Sequence, residues 1–102
     1  SYSLNYLPMP EEFLLYQNYP NLFNPRTTTK YDIPVKNKVY ITIYDILGKE
    51  VITLINKAQE PGYKSIVWNG TDQLGQNVGS GVYFYTLHSG DFIQTKKLML
   101  IK

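Results

Sequence analysis

The residues that could carry catalytic chemistry are few and are far apart in this sequence. His88 is the only His and there is no Cys, so the chain lacks a cysteine nucleophile and thiolate metal ligands. A serine nucleophile would need a neighbouring base, yet His88 precedes Ser89-Gly90-Asp91, which is typical of a tight turn. The eight carboxylates show no spacing that pairs two of them as acid and base. We therefore expect no catalytic residues and no enzyme activity.

One segment has the oxygen-rich character of a metal-binding loop, namely Asn69-Gly-Thr-Asp-Gln-Leu-Gly75. Calcium loops use such oxygens, but they carry more carboxylates and a closing bidentate Glu. Side chains such as Asn69 and Asp72 commonly bond their own backbone in turns. We therefore predict an ordinary turn here, with no metal and no cofactor.

Charge and aromatic content bear on the class of partner. The net charge is only +2 and the ten basic residues are scattered, whereas binding to nucleic acid needs basic side chains gathered along the phosphates. Ten Tyr could offer platforms for sugar rings. Most of them lie in apolar strand patterns, including Tyr44, Tyr63, Tyr83 and Tyr85, which favours packing roles. Nucleic acid is not expected, and a carbohydrate-binding module stays open as an alternative.

The elements that would position these residues are strands. Apolar and polar residues alternate clearly along residues 38–48, which predicts a strand with one buried face. The first set is Val39, Ile41 and Ile43, and the opposite set is Tyr40, Thr42 and Tyr44. Similar short runs separated by Gly, Pro, Asn and Asp predict further strands. They cover residues 13–16, 27–33, 50–55, 63–68, 81–87 and 92–101.

About seven short strands without a helical period predict an all-β sandwich of two sheets, mostly antiparallel. Its core should contain Ile41, Ile43 and Trp68. It should also contain either Val82 or Tyr83, and either Leu98 or Met99, because a one-residue slip in register exchanges the two faces of a strand.

The chain of 102 residues suits a single domain. Residues 1–12 contain Pro8 and Pro10 and have the composition of a linker, so we place the domain at 13–102. No apolar run is long enough to span a bilayer, and the N-terminus lacks the pattern of a signal peptide. We therefore expect no membrane insertion, and any export signal should lie on an upstream cargo domain of the same polypeptide.

An ordered set of motifs resembles the type A C-terminal sorting domain of type IX secretion. The motifs begin with Phe13-Leu-Leu-Tyr-Gln-Asn-Tyr-Pro-Asn-Leu-Phe-Asn-Pro25 and continue through Val39-Tyr-Ile-Thr-Ile-Tyr-Asp-Ile-Leu-Gly48 and Ser80-Gly-Val-Tyr-Phe-Tyr85. They end with Thr95-Lys-Lys-Leu-Met-Leu-Ile-Lys102. The glycines that this family places at turns are matched by Gly48, Gly70, Gly75, Gly81 and Gly90.

This resemblance implies an immunoglobulin-like β-sandwich of about seven strands that directs an attached cargo through the outer membrane. Its partners would be the type IX outer-membrane translocon and a sortase-like peptidase that removes the domain. The protein would be secreted or held at the cell surface after passing through the periplasm, and we expect a monomer. The resemblance places recognition at the last strand, whose candidate residues are Lys96, Lys97, Leu98, Met99, Leu100, Ile101 and Lys102.

Edge strands and the last strand could be recognised by adding a partner strand to their free backbone groups. Lys96, Lys97 and Lys102 could take part in recognition, or they could only protect an edge strand against aggregation. Two rival functions remain. A related fold occurs in flagellar hook-capping proteins, which suggests a structural role, and accessory carbohydrate-binding modules are also β-sandwiches.

Overall fold

The fold is known from a computed structural model that describes residues 9–23 and 25–101. Lys102 and most of the predicted linker at 1–12 lie outside these residues. The strands are β1 (Leu14–Leu15), β2 (Leu22–Phe23), β3 (Thr27–Ile33), β4 (Asn37–Asp45), β5 (Glu50–Gln59), β6 (Gly62–Trp68), β7 (Gly81–Ser89) and β8 (Phe92–Leu100). Residues 9–23 and 25–101 form no helix, and hence none that could cross a membrane.

Two sheets form the sandwich. One has three strands in the order β1-β3-β6, and the other has five in the order β2-β8-β7-β4-β5. Every pairing is antiparallel except that of β2 with β8, which run parallel. The predicted all-β immunoglobulin-like sandwich is confirmed, and each of the seven predicted strands is present. The two-residue β2 was not predicted.

The core lies between the sheets and contains the residues expected there. Ile41, Ile43 and Trp68 are each at most 2% exposed. Tyr83 and Leu98 face inward, whereas Met99 is 39% exposed, so the inward residues of β7 and β8 are now identified. The Trp68 ring meets the Tyr83 ring edge-on at 5.3 Å, and its Nε1 donates a hydrogen bond to the Thr71 carbonyl at 2.8 Å.

The hairpin between β4 and β5 turns three residues earlier than predicted, because β4 ends at Asp45 and not at Gly48. The Asp45 carboxylate accepts hydrogen bonds from the backbone N–H groups of Leu47 and Lys49, both at 2.9 Å. Gly48 completes the turn with a φ of 84°, a conformation that costs other residues more than glycine. Since the apolar Leu47 is 89% exposed, hydrophobicity alone placed the strand end too late.

The backbone groups at the two edges of the five-stranded sheet are protected differently. At the β5 edge, the N–H of Gln73 donates to the Val51 carbonyl, and the Gln73 side chain accepts from the N–H of Thr53, both at 3.1 Å. At the opposite edge, β2 covers the C-terminal part of β8. In the part of the chain that the structure describes, no strand pairs with the outer side of β5.

Candidate recognition surface

The candidate recognition strand β8 is held inside the sheet at its C-terminal end. Leu22 and Phe23 pair with Met99 and Leu100, and the Gln17 side chain donates to the Lys97 carbonyl at 2.8 Å. The expectation that the backbone of the last strand is free to pair with a receptor is therefore wrong for this stretch. Because β2 has only two residues and lies among Asn and Pro residues, the sequence shows no alternating pattern that would predict it.

Alternation along β8 divides the predicted recognition residues into two sets. Leu98 and Leu100 are 1% and 2% exposed and belong to the core, so a receptor cannot contact them while the domain is folded. Lys97, Met99 and Ile101 point outward and are exposed. Lys96 is half-buried, and Lys102 lies outside the described residues. We call the three outward residues Lys97, Met99 and Ile101 the outward row.

The outward row combines a positive charge with two apolar side chains. Among the described residues, the ion pair that is present joins Lys36 to Glu60, so no carboxylate neutralises Lys97. Its cross-strand neighbour is Phe84 of β7. A cation beside exposed apolar side chains can contact a partner both through charge and through buried apolar area.

The N-terminal segment that supports this strand is fastened to the core by Tyr85. The Tyr85 hydroxyl accepts from the N–H of Asn18 at 2.9 Å and donates to the Tyr16 carbonyl at 2.7 Å. Burial of this ring raises the pKa of Tyr85 to about 12, although the hydrogen bond from Asn18 opposes the shift. The Asn18 amide donates in turn to Thr27 Oγ1 and to the Pro20 carbonyl, both at 3.0 Å.

The sequence pattern did not identify Tyr16, Gln17 and Asn18 as anchoring residues. They lie within the opening motif of the resemblance, which was the available signal. Their roles depend on contacts with residues far along the chain, such as Tyr85 and Lys97. A local pattern cannot identify such distant partners.

The predicted turn at Asn69–Gly75 is confirmed. The Asp72 carboxylate accepts from the N–H groups of Leu74 at 3.0 Å and Gln76 at 2.9 Å, which matches the bonding of Asp45. Across residues 9–23 and 25–101, no three His, Asp or Glu side chains lie close enough to hold a metal ion. His88 is exposed, as expected, and its ring meets that of Tyr40 with centroids 5.7 Å apart.

The glycines matched to family turns all have positive φ. The angles are 84° for Gly48, 74° for Gly70, 82° for Gly75, 152° for Gly81 and 57° for Gly90. Gly70 is also confined by packing, because a Cβ there would lie 3.1 Å from the Pro25 carbonyl oxygen. Gly70 thus lets the loop after β6 approach the segment between β2 and β3.

The tyrosines occupy both faces of the sheets. Tyr83 and Tyr85 are buried at 8% and 0% exposure, as their strand patterns indicated. Tyr63 is 61% exposed, so its predicted packing role is wrong. Tyr40 and Tyr44 are half-buried on the outer face of the five-stranded sheet.

Comparison with known families gives a match over more than half of the chain. The model of the FlgD Ig-like domain family matches residues 27–91, which include β3 to β7. No curated protein matches this chain.

Solved structures with a similar fold include one flagellar protein and two proteins from Porphyromonas gingivalis. FlgD from P. aeruginosa is 24% identical with a TM-score of 0.58, and the match covers 72% of this chain and 57% of FlgD. Dimeric latent PorU from Porphyromonas gingivalis is 21% identical with a TM-score of 0.66, and the match covers 87% of this chain and 9% of PorU.

PorZ from the same organism, described as an essential bacterial surface component of the type-IX secretion system, is 18% identical with a TM-score of 0.59. That match covers 90% of this chain and 12% of PorZ. The chain thus spans more than half of the FlgD chain but only about a tenth of PorU and PorZ. At these identities the likeness shows the fold alone.

Proposed function

We propose, because this chain belongs to the FlgD Ig-like domain family, that it is a non-catalytic C-terminal sorting domain of a type IX secretion cargo. In this role it directs an upstream cargo domain through the outer membrane, and it is removed when the cargo reaches the surface. Its partners are the translocon and a sortase-like peptidase. The cargo is secreted or held at the cell surface after passing through the periplasm.

The ordered motifs between Phe13 and Lys102 support this proposal over a general structural role for the fold. The likeness to PorU and PorZ adds support, since it covers nearly the whole of this chain but a small part of each of theirs. A fold that forms about a tenth of a large chain suits an appended module.

The observation that carries the proposal is the division of β8 into inward and outward residues. Leu98 and Leu100 hold the strand in the core, while the outward row of Lys97, Met99 and Ile101 is exposed. Because β2 occupies the neighbouring backbone at Met99 and Leu100, recognition here uses side chains rather than an added strand. The outward row is therefore the surface that a receptor contacts.

The test is surface display of a fluorescent protein that carries a periplasmic signal peptide and this chain at its C-terminus. It is expressed in a bacterium with a type IX translocon. The double variant Met99→Ser with Ile101→Ser removes the apolar part of the outward row, and Lys97→Ala removes its charge. Each change affects exposed side chains, so stability should change by no more than about 0.5 kcal/mol. We expect unchanged melting and reduced display.

Ile93→Ser is the matched control, because Ile93 is 62% exposed and lies on the same face of the same strand. It should leave both melting and display unchanged. If Lys96→Ala with Lys97→Ala leaves display complete, the lysines only protect the strand. Normal display of a fusion lacking residues 96–102 would refute the sorting role altogether.

A structural assembly role is the second candidate, and the family match together with the FlgD likeness favours it. In that role, the domain would join neighbouring subunits and would not direct export. The same fusions separate the two functions. Display that depends on the outward row supports sorting, whereas display that is independent of this chain supports assembly.

A further inference from the structure

The outer face of the five-stranded sheet carries hydroxyl groups in a row across the strands. Thr53, Thr42, Thr86 and Thr95 are in register on β5, β4, β7 and β8. We call them the threonine row. Neighbouring strands lie about 4.8 Å apart, but the side chains lean together, so the hydroxyl oxygens of Thr42 and Thr53 are 3.5 Å apart.

Aromatic side chains flank the threonine row on both sides. Tyr40 of β4 and His88 of β7 are paired on one side, and Tyr44 and Phe84 of the same strands are paired on the other. Between these flanks lies a trough of about 550 Å³, which is lined by Tyr40, Thr42, Tyr44, Thr86, His88, Ile93 and Thr95. Its floor contains Thr42, Thr86 and Thr95, and its walls include Tyr40, Tyr44 and His88. The volume lies within the range of small-ligand sites, about 300 to 1,000 Å³.

The floor of the trough retains hydrogen-bonding capacity. The hydroxyls of Thr86 and Thr95 are 2.8 Å apart, so one donates to the other. Each hydroxyl has one donor and two acceptor positions, so the pair keeps one donor and three acceptor positions for a ligand. A purely apolar partner would bury these groups without replacing their bonds to water, which is costly.

Charged groups lie around the trough but do not line it. None of its lining residues is Asp, Glu, Lys or Arg. Lys38 lies beside one wall, with its Nζ 5.3 Å from the Tyr40 ring centroid, and Lys97 is the neighbour of Phe84 on β8. The lining therefore suits an uncharged ligand that presents both hydroxyls and C–H groups.

We propose that this trough binds a neutral oligosaccharide. The hydroxyls of Thr86 and Thr95 exchange hydrogen bonds with the sugar hydroxyls, and the rings of Tyr40 and Tyr44 contact the C–H faces of the sugar rings. The trough runs across the strands, so an oligosaccharide would lie perpendicular to β4 and β7. This binding is independent of the outward row and of the sorting role.

The test is an NMR titration of the isotope-labelled chain with four neutral hexasaccharides, cellohexaose, xylohexaose, laminarihexaose and mannohexaose. At least one should shift the backbone amide signals of Thr42, Thr86 and Thr95. Tyr44→Ala should weaken that binding by up to about tenfold, since an aromatic contact contributes about 0.5 to 1.5 kcal/mol. Thr95→Val should also weaken it while preserving the β-branched shape of the strand residue.

Two matched controls lie on the outer face of the other sheet. Tyr63→Ala removes an exposed ring and Thr28→Val removes a strand hydroxyl, and neither should alter the titration. A dilution series of the chain without sugar is recorded first. If the amide signals of the trough residues shift with protein concentration, a second copy of the chain covers this face. That result would overturn the proposal. The absence of shifts with all four sugars would overturn it too, as would equal losses in the control variants.

Discussion

At the scale of single residues, Tyr85 is constrained both by burial and by two hydrogen bonds. Its side chain is fully buried, and its hydroxyl joins Asn18 and Tyr16 to the core. The neutral phenol is favoured in the folded state, and its pKa is raised to about 12. A tyrosine in an unfolded chain loses its proton near pH 10. Unfolding therefore lowers the pKa of the Tyr85 phenol, so the unfolded chain loses this proton more readily than the folded chain.

Stability should consequently fall as the pH rises from about 10 to about 12. The contribution of Tyr85 is complete below pH 10 and is lost as the pH approaches its folded-state pKa, a difference of about 2 to 3 kcal/mol. Urea unfolding at a series of pH values measures it. Tyr85→Phe should be less stable at pH 8 by about 1 to 3 kcal/mol, because Asn18 and Tyr16 lose a partner.

The same variant should depend less steeply on pH above 10. Some dependence should remain, because burial also raises the pKa of Tyr31 and of Tyr83. Leu47→Ala is the control, since that side chain is 89% exposed and has no proton to lose, and it should keep the wild-type slope. An unchanged slope for Tyr85→Phe would show that Tyr85 does not contribute to the alkaline transition.

Tyr63 shows where residue-level inference from the sequence was incomplete. Alternation places Tyr63 and Trp68 on opposite faces of one strand because they are five positions apart. The prediction that Trp68 is buried therefore already implied that Tyr63 is exposed. In β8, by contrast, the sequence could not determine whether Leu98 or Met99 faced inward, because both sets of alternating residues include apolar side chains. Packing against Tyr83 and the rest of the core decides it.

At the scale of elements, two loops share one construction. Asp45-Ile-Leu-Gly-Lys49 and Asp72-Gln-Leu-Gly-Gln76 each begin with an Asp whose carboxylate accepts two backbone N–H groups. In both, the Gly N–H also donates to the Asp carbonyl at 3.0 Å. Both also expose their Leu. In each loop a single carboxylate oxygen accepts both bonds, so this oxygen is the atom of the Asp side chain that stabilises the turn.

Asp45→Ala and Asp72→Ala should each lower the free energy of unfolding by about 0.5 to 1.5 kcal/mol, since each removes an acceptor from two N–H groups that water can partly reach. Asp45→Asn and Asp72→Asn keep the oxygen and should be nearly neutral. Urea unfolding of the four variants measures this. Equal losses for Ala and Asn would mean that the negative charge, and not the oxygen, stabilises the loops.

The sequence predicted β7 and β8 well because each alternates between a more buried and a more exposed face with period two. It ended β5 at residue 55, whereas this strand, which has no such alternation, continues to Gln59. It failed for β2, which has only two residues and pairs through a distant contact with β8. It also extended β4 into the turn, because Ile46 and Leu47 continue its apolar character although both are exposed. The sequence correctly predicted that Lys96 to Leu100 lie in the last strand, but their division into core and surface required the structure.

At the scale of the whole molecule, we expect the buried core and the hydrogen-bonded turns to hold the fold without a metal ion. EDTA should therefore leave the melting temperature of the domain unchanged. Added Ca²⁺ should not raise it either, whereas an ion that bound only the folded state would raise the melting temperature. Differential scanning calorimetry with and without each additive measures this. A large fall with EDTA would mean that the turn at Asn69–Gly75 holds a metal ion.

The parallel pairing of β2 with β8 also determines how the domain responds to mechanical force. If the chain is pulled at Met9 and Ile101, the load reaches β2 once the bonds of Asn18 and its neighbours have broken. Because β2 and β8 point the same way, opposite pulls on their outer ends slide one strand along the other and strain their backbone bonds together. An antiparallel hairpin such as β7 and β8, pulled apart at its open end, breaks its bonds one after another. The backbone bonds between β2 and β8 must therefore break together, in shear, before a pulling force can open the hairpin of β7 and β8 bond by bond.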